Sequence, residues 1–335
     1  MLWHSAFVQH VTAKRLRALL SAFRSKRLIV LGDAMVDQYI WGNVSRISPE
    51  APVPVVEVQR ETFVPGGAAN VARNIVSLGG HAELIAAVGA DEMGGKLESL
   101  LTEHRVGTRH LLRHGGYPTT VKTRVMAHQQ QVVRIDRENR TGPNNDVSAI
   151  ALEHLEREVS RADAVVLTDY HKGFLTQPLF DGAVRLAKRA RKIVTVDPKP
   201  SHSLRLRGMT GITPNRAEAY LADAAPADRP LELVGQSLLR RWAAKHVLIT
   251  LGEEGMALFQ PGKSPFRIPT MAREVYDVSG AGDTVIAAFT LALAAGANPA
   301  EAALVSNHAA GVVVRKVGTA TVSPEELIAS FEAER

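Results

Sequence analysis

Residues 277–284 read DVSGAGDT, two glycines and an acid at the start of the apolar run VIAAFTLALAAG, which predicts a helix. A helix start leaves several backbone N–H groups unpaired and carries partial positive charge, so it can hold an anion. Gly280 and Gly282, flanking Ala281, let that backbone approach a ligand closely. Asp283 then has two uses. It can cap the helix, or it can take the proton of a hydroxyl that attacks a bound phosphate. Capping acids are common, and the octamer alone does not choose between them.

Other short stretches carry the same ambiguity. GDAMVD (32–37) follows an apolar run and places Asp33 and Asp37 in a loop, as acceptors for polyol hydroxyls or as solvated turn acids. PGGAANVARN (65–74) sets Gly66 and Gly67 before a helix that opens with Asn70, whose amide suits adjacent sugar hydroxyls; an ordinary helix start reads the same way. TPNRAE (213–218) puts Asn215 and Glu218 one turn apart, either orienting the waters of a Mg²⁺ ion or forming a capping box. TLGEEGM (250–256) offers Thr250, Gly252 and Gly255 in a turn that nucleotide phosphates can touch. TDYHKG and VDPKP place Asp169 with Lys172, and Lys199, just past strands, facing phosphate oxygens or making surface ion pairs. A Walker GxxxxGK[ST] and a GxGxxG after a strand are both missing, and the 12 histidines show no HExxH spacing. Dehydrogenase, P-loop and histidine-metal readings lose their support.

The elements that must position these residues are legible as alternation. RLIVLGD, AELIAAVG, DAVVLTD, RKIVTVD and KHVLITLG are short apolar runs closed by Gly or Asp, with helical patterns between most of them. Buried strands alternating with helices predict a parallel sheet sandwiched by helices, with ligands at the strand carboxyl ends. Two β-branched segments break the rhythm and predict a small separate sheet, a lid with strands over about 40–64 and 117–136 that carries Lys122, Arg124 and Arg134. These cations either face a substrate or form the solvated side of two hairpins.

Apolar residues at 45% and charged residues at 22% are ordinary globular values, with material for one large core. The net charge of +6 comes from 40 basic and 34 acidic residues mixed along most of the chain, so nucleic acid is not the expected partner. The absence of cysteine rules out disulfides and thiolate metal sites. Residues 1–26 form a basic extension without an acid, and KRLRALLSAF has helical spacing, which we read as a docking helix rather than a transit peptide. No run approaches the roughly 20 apolar residues of a membrane helix.

Taken together, GG at 66–67, NxxE at 215–218 and GAGD at 280–283, in that order, resemble the ribokinase-like (PfkB) family of carbohydrate kinases. Within it, RISPEAPVPV, PGGAANVARN, TRVMAHQQQVVRID, the DYHKG and VDPK segments and VRKVGTATVSPEEL are similar to the heptose 7-phosphate kinases of lipopolysaccharide core synthesis. That likeness covers almost everything after residue 27.

The resemblance implies a three-layer α/β kinase domain over 27–330 with a β-sheet lid. It implies transfer of the ATP γ-phosphoryl group to the anomeric hydroxyl of D-glycero-D-manno-heptose 7-phosphate, giving the β-1,7-bisphosphate for ADP-heptose. Asp283 matches the family's base and Gly280, Ala281 and Gly282 its anion hole. Asn215 and Glu218 match the magnesium-supporting pair, and Thr250, Gly252 and Gly255 the nucleotide loop, with Asn307 near adenine. Asp33, Asp37, Gly66, Gly67 and Asn70 match sugar-contacting positions, although GGAAN is one residue shorter than in ribokinase itself. Asp277, Ser279 and the backbone at Gly318 resemble a monovalent-cation site, which would take K⁺. Lys122, Arg124 and Arg134 are assigned to the 7-phosphate. The implied setting is a cytoplasmic homodimer paired through its lid, with a separate adenylyltransferase. Open alternatives are a family kinase acting on fructose, fructose 6-phosphate or a nucleoside, and a sensor that binds without turnover.

Overall fold

Side chains that point alternately into two buried cores along the central strands set the layers of the molecule. The computed structural model describes residues 11–127, 130–139, 141–143, 145–201, 204–272 and 274–333; residues 1–10 of the basic extension and His128 and Gln129 of the lid lie outside the described residues. In chain order the elements are α1 (Ala13–Phe23), β1 (Arg27–Gly32), β2 (Ala34–Ile47), β3 (Pro54–Gly67), α2 (Ala68–Ser77), β4 (His81–Gly89), α3 (Glu92–Glu103), β5 (Leu111–His114), β6 (Val121–Ala127), β7 (Gln130–Arg137), α4 (Asn145–Glu158), β8 (Ala164–Thr168), α5 (Gln177–Arg189), β9 (Ile193–Asp197), β10 (Gly211–Ile212), α6 (Arg216–Asp223), α7 (Leu231–Trp242), β11 (His246–Thr250), β12 (Met256–Phe259), β13 (Phe266–Ile268), α8 (Ala281–Ala294), α9 (Pro299–Val313) and α10 (Pro324–Glu332).

Nine strands form the large sheet in the order β13-β12-β11-β10-β9-β8-β1-β4-β5. On β1, Leu28 and Val30 face a core built with α1, α2, α8, α9 and α10, whereas Ile29 and Leu31 face a second core built with α4, α5, α6 and α7. Both faces are covered, which is why these runs read as continuously apolar. β1 pairs in parallel with β4 on one side and β8 on the other, so the chain leaves this point in opposite directions. The crevice that results lies at the strand carboxyl ends, where Asp33 and Asp169 follow β1 and β8.

The sheet departs from an all-parallel expectation at one edge, where β12 pairs antiparallel with both β11 and β13. The cause is local. A one-turn 3₁₀ helix at Gly252–Glu254 connects β11 to β12, far too short for a parallel crossover.

A second sheet, ordered β3-β2-β6-β7, stands on the carboxyl edge of the first. Its strands reach further in than expected: β2 starts directly after Asp33, so Asp37 lies in a strand paired with Lys122 and Val64 and not in a loop. The first four residues of β2 are buried on both faces, which hides the alternation that would announce a strand. Helix α2 likewise begins at Ala68 with Gly67 as its N-cap, two residues before Asn70.

At the other end of the molecule, Thr12 caps α1, and Leu16, Leu19, Leu20 and Phe23 are buried in the α8–α10 core. Burying side chains of this kind contributes about 1.5–3 kcal/mol each. No described helix is long and apolar enough to cross a membrane.

Candidate active site

The mouth of α8 is built by its glycines. Gly280 is the N-cap with φ 78°, left-handed backbone that disfavours any side chain, and an added Cβ would lie 2.8 Å from Asn70 Nδ2. At Gly282 a Cβ would meet nothing within 4 Å. The first glycine is thus demanded by packing, and the second keeps the approach to the helix N-terminus open.

Asp283, in the first turn, is only 8% exposed. Its Oδ2 accepts from Asn70 Nδ2 at 2.6 Å, and its Oδ1 accepts from the Tyr170 hydroxyl. Burial pushes the carboxyl up to about 6, against the pull of these two hydrogen bonds; the Asp37 charge adds to the rise and Lys122 opposes it. Behind Asn70 the contacts continue inward: Asn74 Nδ2 donates to Asn70 O (2.9 Å) and Thr284 Oγ1 donates to Asn74 Oδ1 (2.9 Å). These bonds tie α2 to α8 and fix the direction in which Asn70 presents its amide.

The substrate-side residues divide between scaffold and open face. Asp33 is buried, and its carboxylate accepts the backbone N–H of Tyr170 (2.9 Å), Lys172 (3.1 Å) and Phe174 (3.1 Å), which folds the loop after β8 over the sheet. Asp169 performs a similar task by accepting from His171 N, a residue with φ 56°. Gly66 is packed against Asp37, where a Cβ would sit 2.6 Å from Oδ2, and Gly67 turns the chain from β3 into α2.

Asp37 Oδ1 accepts from Arg124 NH1 at 2.6 Å and Oδ2 from Thr319 Oγ1 at 3.2 Å. Lys122 Nζ lies 6.0 Å from the Tyr170 ring, and burial makes its ammonium easier to deprotonate, opposed by the Asp37 charge and helped by the Lys172 and Arg124 charges. The register sets Arg134 opposite Arg124 and Asp136 opposite Lys122, so all four share one face of the lid. Arg134 is exposed and forks onto Asp136 at 3.0 and 3.1 Å. Lys172 is buried and ion-paired with Glu138.

On the nucleotide side, Asn215 and Glu218 do form a complete capping box on α6. Glu218 Oε2 accepts from Asn215 N at 3.0 Å and Oε1 accepts from Lys199 Nζ at 3.1 Å. Asp197, at the end of β9, is held well above the usual carboxylate range by burial and by the Glu218 and Asp283 charges. Asp197 at the strand end thus lies in the field of two further acids, Glu218 on α6 and Asp283 on α8, and positive charge nearby would relieve it. Among the described residues, no three His, Cys, Asp or Glu side chains converge closely enough to ligate a metal directly, so a Mg²⁺ ion fits here only through water.

Thr250 bridges to Asn215, Gly252 is open, and Gly255 packs against the backbone at 268–270. Asn307 is buried and donates to Pro269 O at 2.6 Å. Asp277 accepts from Ser279 N (2.8 Å) and Gly318 N (2.9 Å), which draws those three residues together beside α8.

Four participants escaped the sequence reading: Tyr170, Asp197, Arg73 and Thr319. Tyr170 stands inside TDYHKG between Asp169 and Lys172, and Asp197 is the acid of VDPKP, where only Lys199 has a role in the sequence reading. Arg73, buried on α2, donates to Thr319 O at 2.6 Å, and Thr319 in turn meets Asp37 and Tyr39. A charged residue inside a helical run and a threonine in a loop carry no local signal.

Similarity to known proteins fits this geometry. The chain is 45% identical over 314 residues to the bifunctional protein HldE of Desulfatibacillum aliphaticivorans, covering 93% of this chain and 64% of that one. It is 43% identical over 322 residues to the bifunctional protein HldE of Geobacter sulfurreducens, covering 95% and 65%. The chain therefore spans just under two thirds of the length of these curated relatives. Among solved structures, phosphofructokinase-2 from Escherichia coli in complex with substrates and products shares the fold, with a TM-score of 0.77 at 21% identity over 92% of this chain and 100% of that one. The model of the pfkB family carbohydrate kinases matches residues 25–326, and with a ribokinase-like fold around an acid held at a glycine-lined helix mouth, the chain is a sugar kinase that belongs to this family.

Proposed function

We propose that this kinase transfers the γ-phosphoryl group of ATP to the anomeric hydroxyl of D-glycero-D-manno-heptose 7-phosphate in the cytoplasm, forming the β-1,7-bisphosphate used for ADP-heptose and lipopolysaccharide core. The observation that carries this reading is the pairing of a base at the α8 mouth with a cationic lid face. Asp283 accepts the proton of the hydroxyl as its oxygen bonds to the γ-phosphorus and the bond to the β-phosphate oxygen breaks. The N–H groups of Gly280, Ala281 and Gly282 stabilise charge on the phosphoryl oxygens during transfer. Asp37 and Asn70 orient the sugar, with Gly66 and Gly67 allowing its approach and Asp33 and Asp169 shaping the floor.

Lys122 and Arg124 hold the 7-phosphate, with Arg134 and Lys172 adding to the field. Thr250, Gly252, Gly255, Lys199 and Asn307 line the nucleotide's place. A divalent ion held through water by Asn215 and Glu218 would neutralise phosphate charge. Asp277, Ser279 and Gly318 are the proposed seat of a monovalent cation; equal rates in potassium and choline chloride would remove it. Apolar Val58, Val133 and Ile135 lie exposed on the lid, which favours a lid-to-lid homodimer. Sedimentation as a monomer at micromolar concentration would end that part of the reading.

The deciding assay measures ADP release with heptose 7-phosphate and, separately, with fructose 6-phosphate, using Asp283→Asn as the control. Turnover on the heptose alone, lost in the variant, is the expected result. Turnover mainly on fructose 6-phosphate would keep the chemistry and overturn the substrate, and binding without turnover on any sugar would point to a sensor.

A further inference from the structure

We infer that Tyr170 is a positioning residue for the phosphoryl-transfer step: its hydroxyl, donating to Asp283 Oδ1, fixes the plane of the carboxylate and keeps it ionised beside the arriving acceptor hydroxyl. The inference rests on Asp283 being the base.

The geometry requires such a device. Asp283 is 8% exposed and sits among apolar helix residues, a setting that favours the protonated acid, which cannot act as a base. Its carboxylate has room for four hydrogen bonds, and two donors occupy one oxygen each: Asn70 from α2 on Oδ2 and Tyr170 from the loop after β8 on Oδ1. Two donors from different elements define a plane that one could not. Lone pairs remain on both oxygens for the hydroxyl that will lose its proton. The proton balance is simple: it passes from the acceptor hydroxyl to Asp283 while the phenol keeps its own.

Tyr170 is itself held. Its backbone N–H is anchored to Asp33 Oδ2 at 2.9 Å, Lys122 Nζ stands 6.0 Å from its ring, and a Cβ at Gly67 would touch its Cδ2 at 3.4 Å. Burial and the Asp283 charge keep the phenol protonated far above neutral pH, so it is a donor throughout the working range. The side chain is half-buried, and Phe fills the same space. Asp33 thereby acquires a catalytic consequence at one remove: it seats the loop that seats the tyrosine.

The test is the pH profile of kcat for Tyr170→Phe beside Asp283→Asn and the parent enzyme, with ADP release as the readout. With the hydrogen bond gone, the carboxylate loses a stabilising donor, and the acid limb moves up by about one pH unit while the KM for ATP stays the same. Placing 3-fluorotyrosine at 170, a stronger donor, moves the limb the opposite way. A limb unchanged in both variants overturns the inference while Asp283→Asn, if inactive, leaves the base assignment standing. Parental turnover in Asp283→Asn overturns both.

Discussion

Strand β8 of the large sheet and strand β7 of the lid could hardly differ more: every residue of β8 is buried, and every residue of β7 is exposed. β8 delivers Tyr170 to Asp283 from the middle of the large sheet, flanked on both sides by parallel partners. β7 is the outer strand of the lid and, among the described strands, pairs only with β6. The contrast separates two demands. Under the proposed function, groups that handle a proton need fixed distances and are held on α8 and just past β8, whereas groups that attract a charged substrate tolerate motion and ride on the lid.

If the contrast is right, damage at the α8 mouth should appear in kcat and damage on the lid in KM. The largest effect is expected for Asp283→Asn, a loss of about 10²- to 10⁴-fold in kcat with little change in affinity for ATP, measured by steady-state ADP release. A variant that kept kcat and lost sugar affinity would place Asp283 with the lid residues and erase the division.

Gly280→Ala comes next. Left-handed backbone at this position costs an alanine about 1–2 kcal/mol, and its Cβ would crowd Asn70 Nδ2 at 2.8 Å. We expect a lower Tm and a fall in kcat of about 10²-fold through the displaced amide. Gly282→Ala, where a Cβ meets nothing within 4 Å, should fold as well as the parent and lose activity only once substrates are bound. Equal Tm losses in the two variants would show that the mouth is strained throughout and not at one residue.

How much of this was legible in the sequence follows the same line. DVSGAGDT, GGAAN and NRAE were readable because each packs its backbone needs and its polar groups into one turn. The layers were readable because strands buried on both faces leave continuous apolar runs. What escaped was assembled across long distances: Tyr170 meets Asp283 from 113 positions away, and Asn70 from 213. No local pattern records which of several polar residues at different strand ends will meet. Asn70 illustrates this, since the amide read toward a sugar also donates to Asp283. The capping alternative for Asn215 and Glu218 also proved real, because a capping box and a water-holding pair use the same two side chains. Asp37 was misplaced in a loop because burial on both faces of β2 removes the alternating signal.

Arg124 and Arg134 offer the finest probe, because the register sets them opposite one another on the same face and only their burial differs. Arg124 is 13% exposed and bonded to Asp37 at 2.6 Å, whereas Arg134 is 52% exposed and forked onto Asp136. Removing Arg124 strips a charged partner from a buried acid and, under the proposed function, from the sugar's phosphate, so Arg124→Ala should raise the KM for the phosphorylated sugar about 10- to 100-fold and leave that for ATP alone. Arg134 is screened by water and already neutralised by its neighbour. Arg134→Ala should therefore raise the same KM by about fivefold or less, an effect that fades at high ionic strength. Equal, salt-resistant increases in the two variants would mean that the lid closes far enough over the sugar to bury both guanidiniums. In that case β7 would join the rigid part of the site, and the division between sheet and lid would hold only before the substrate arrives.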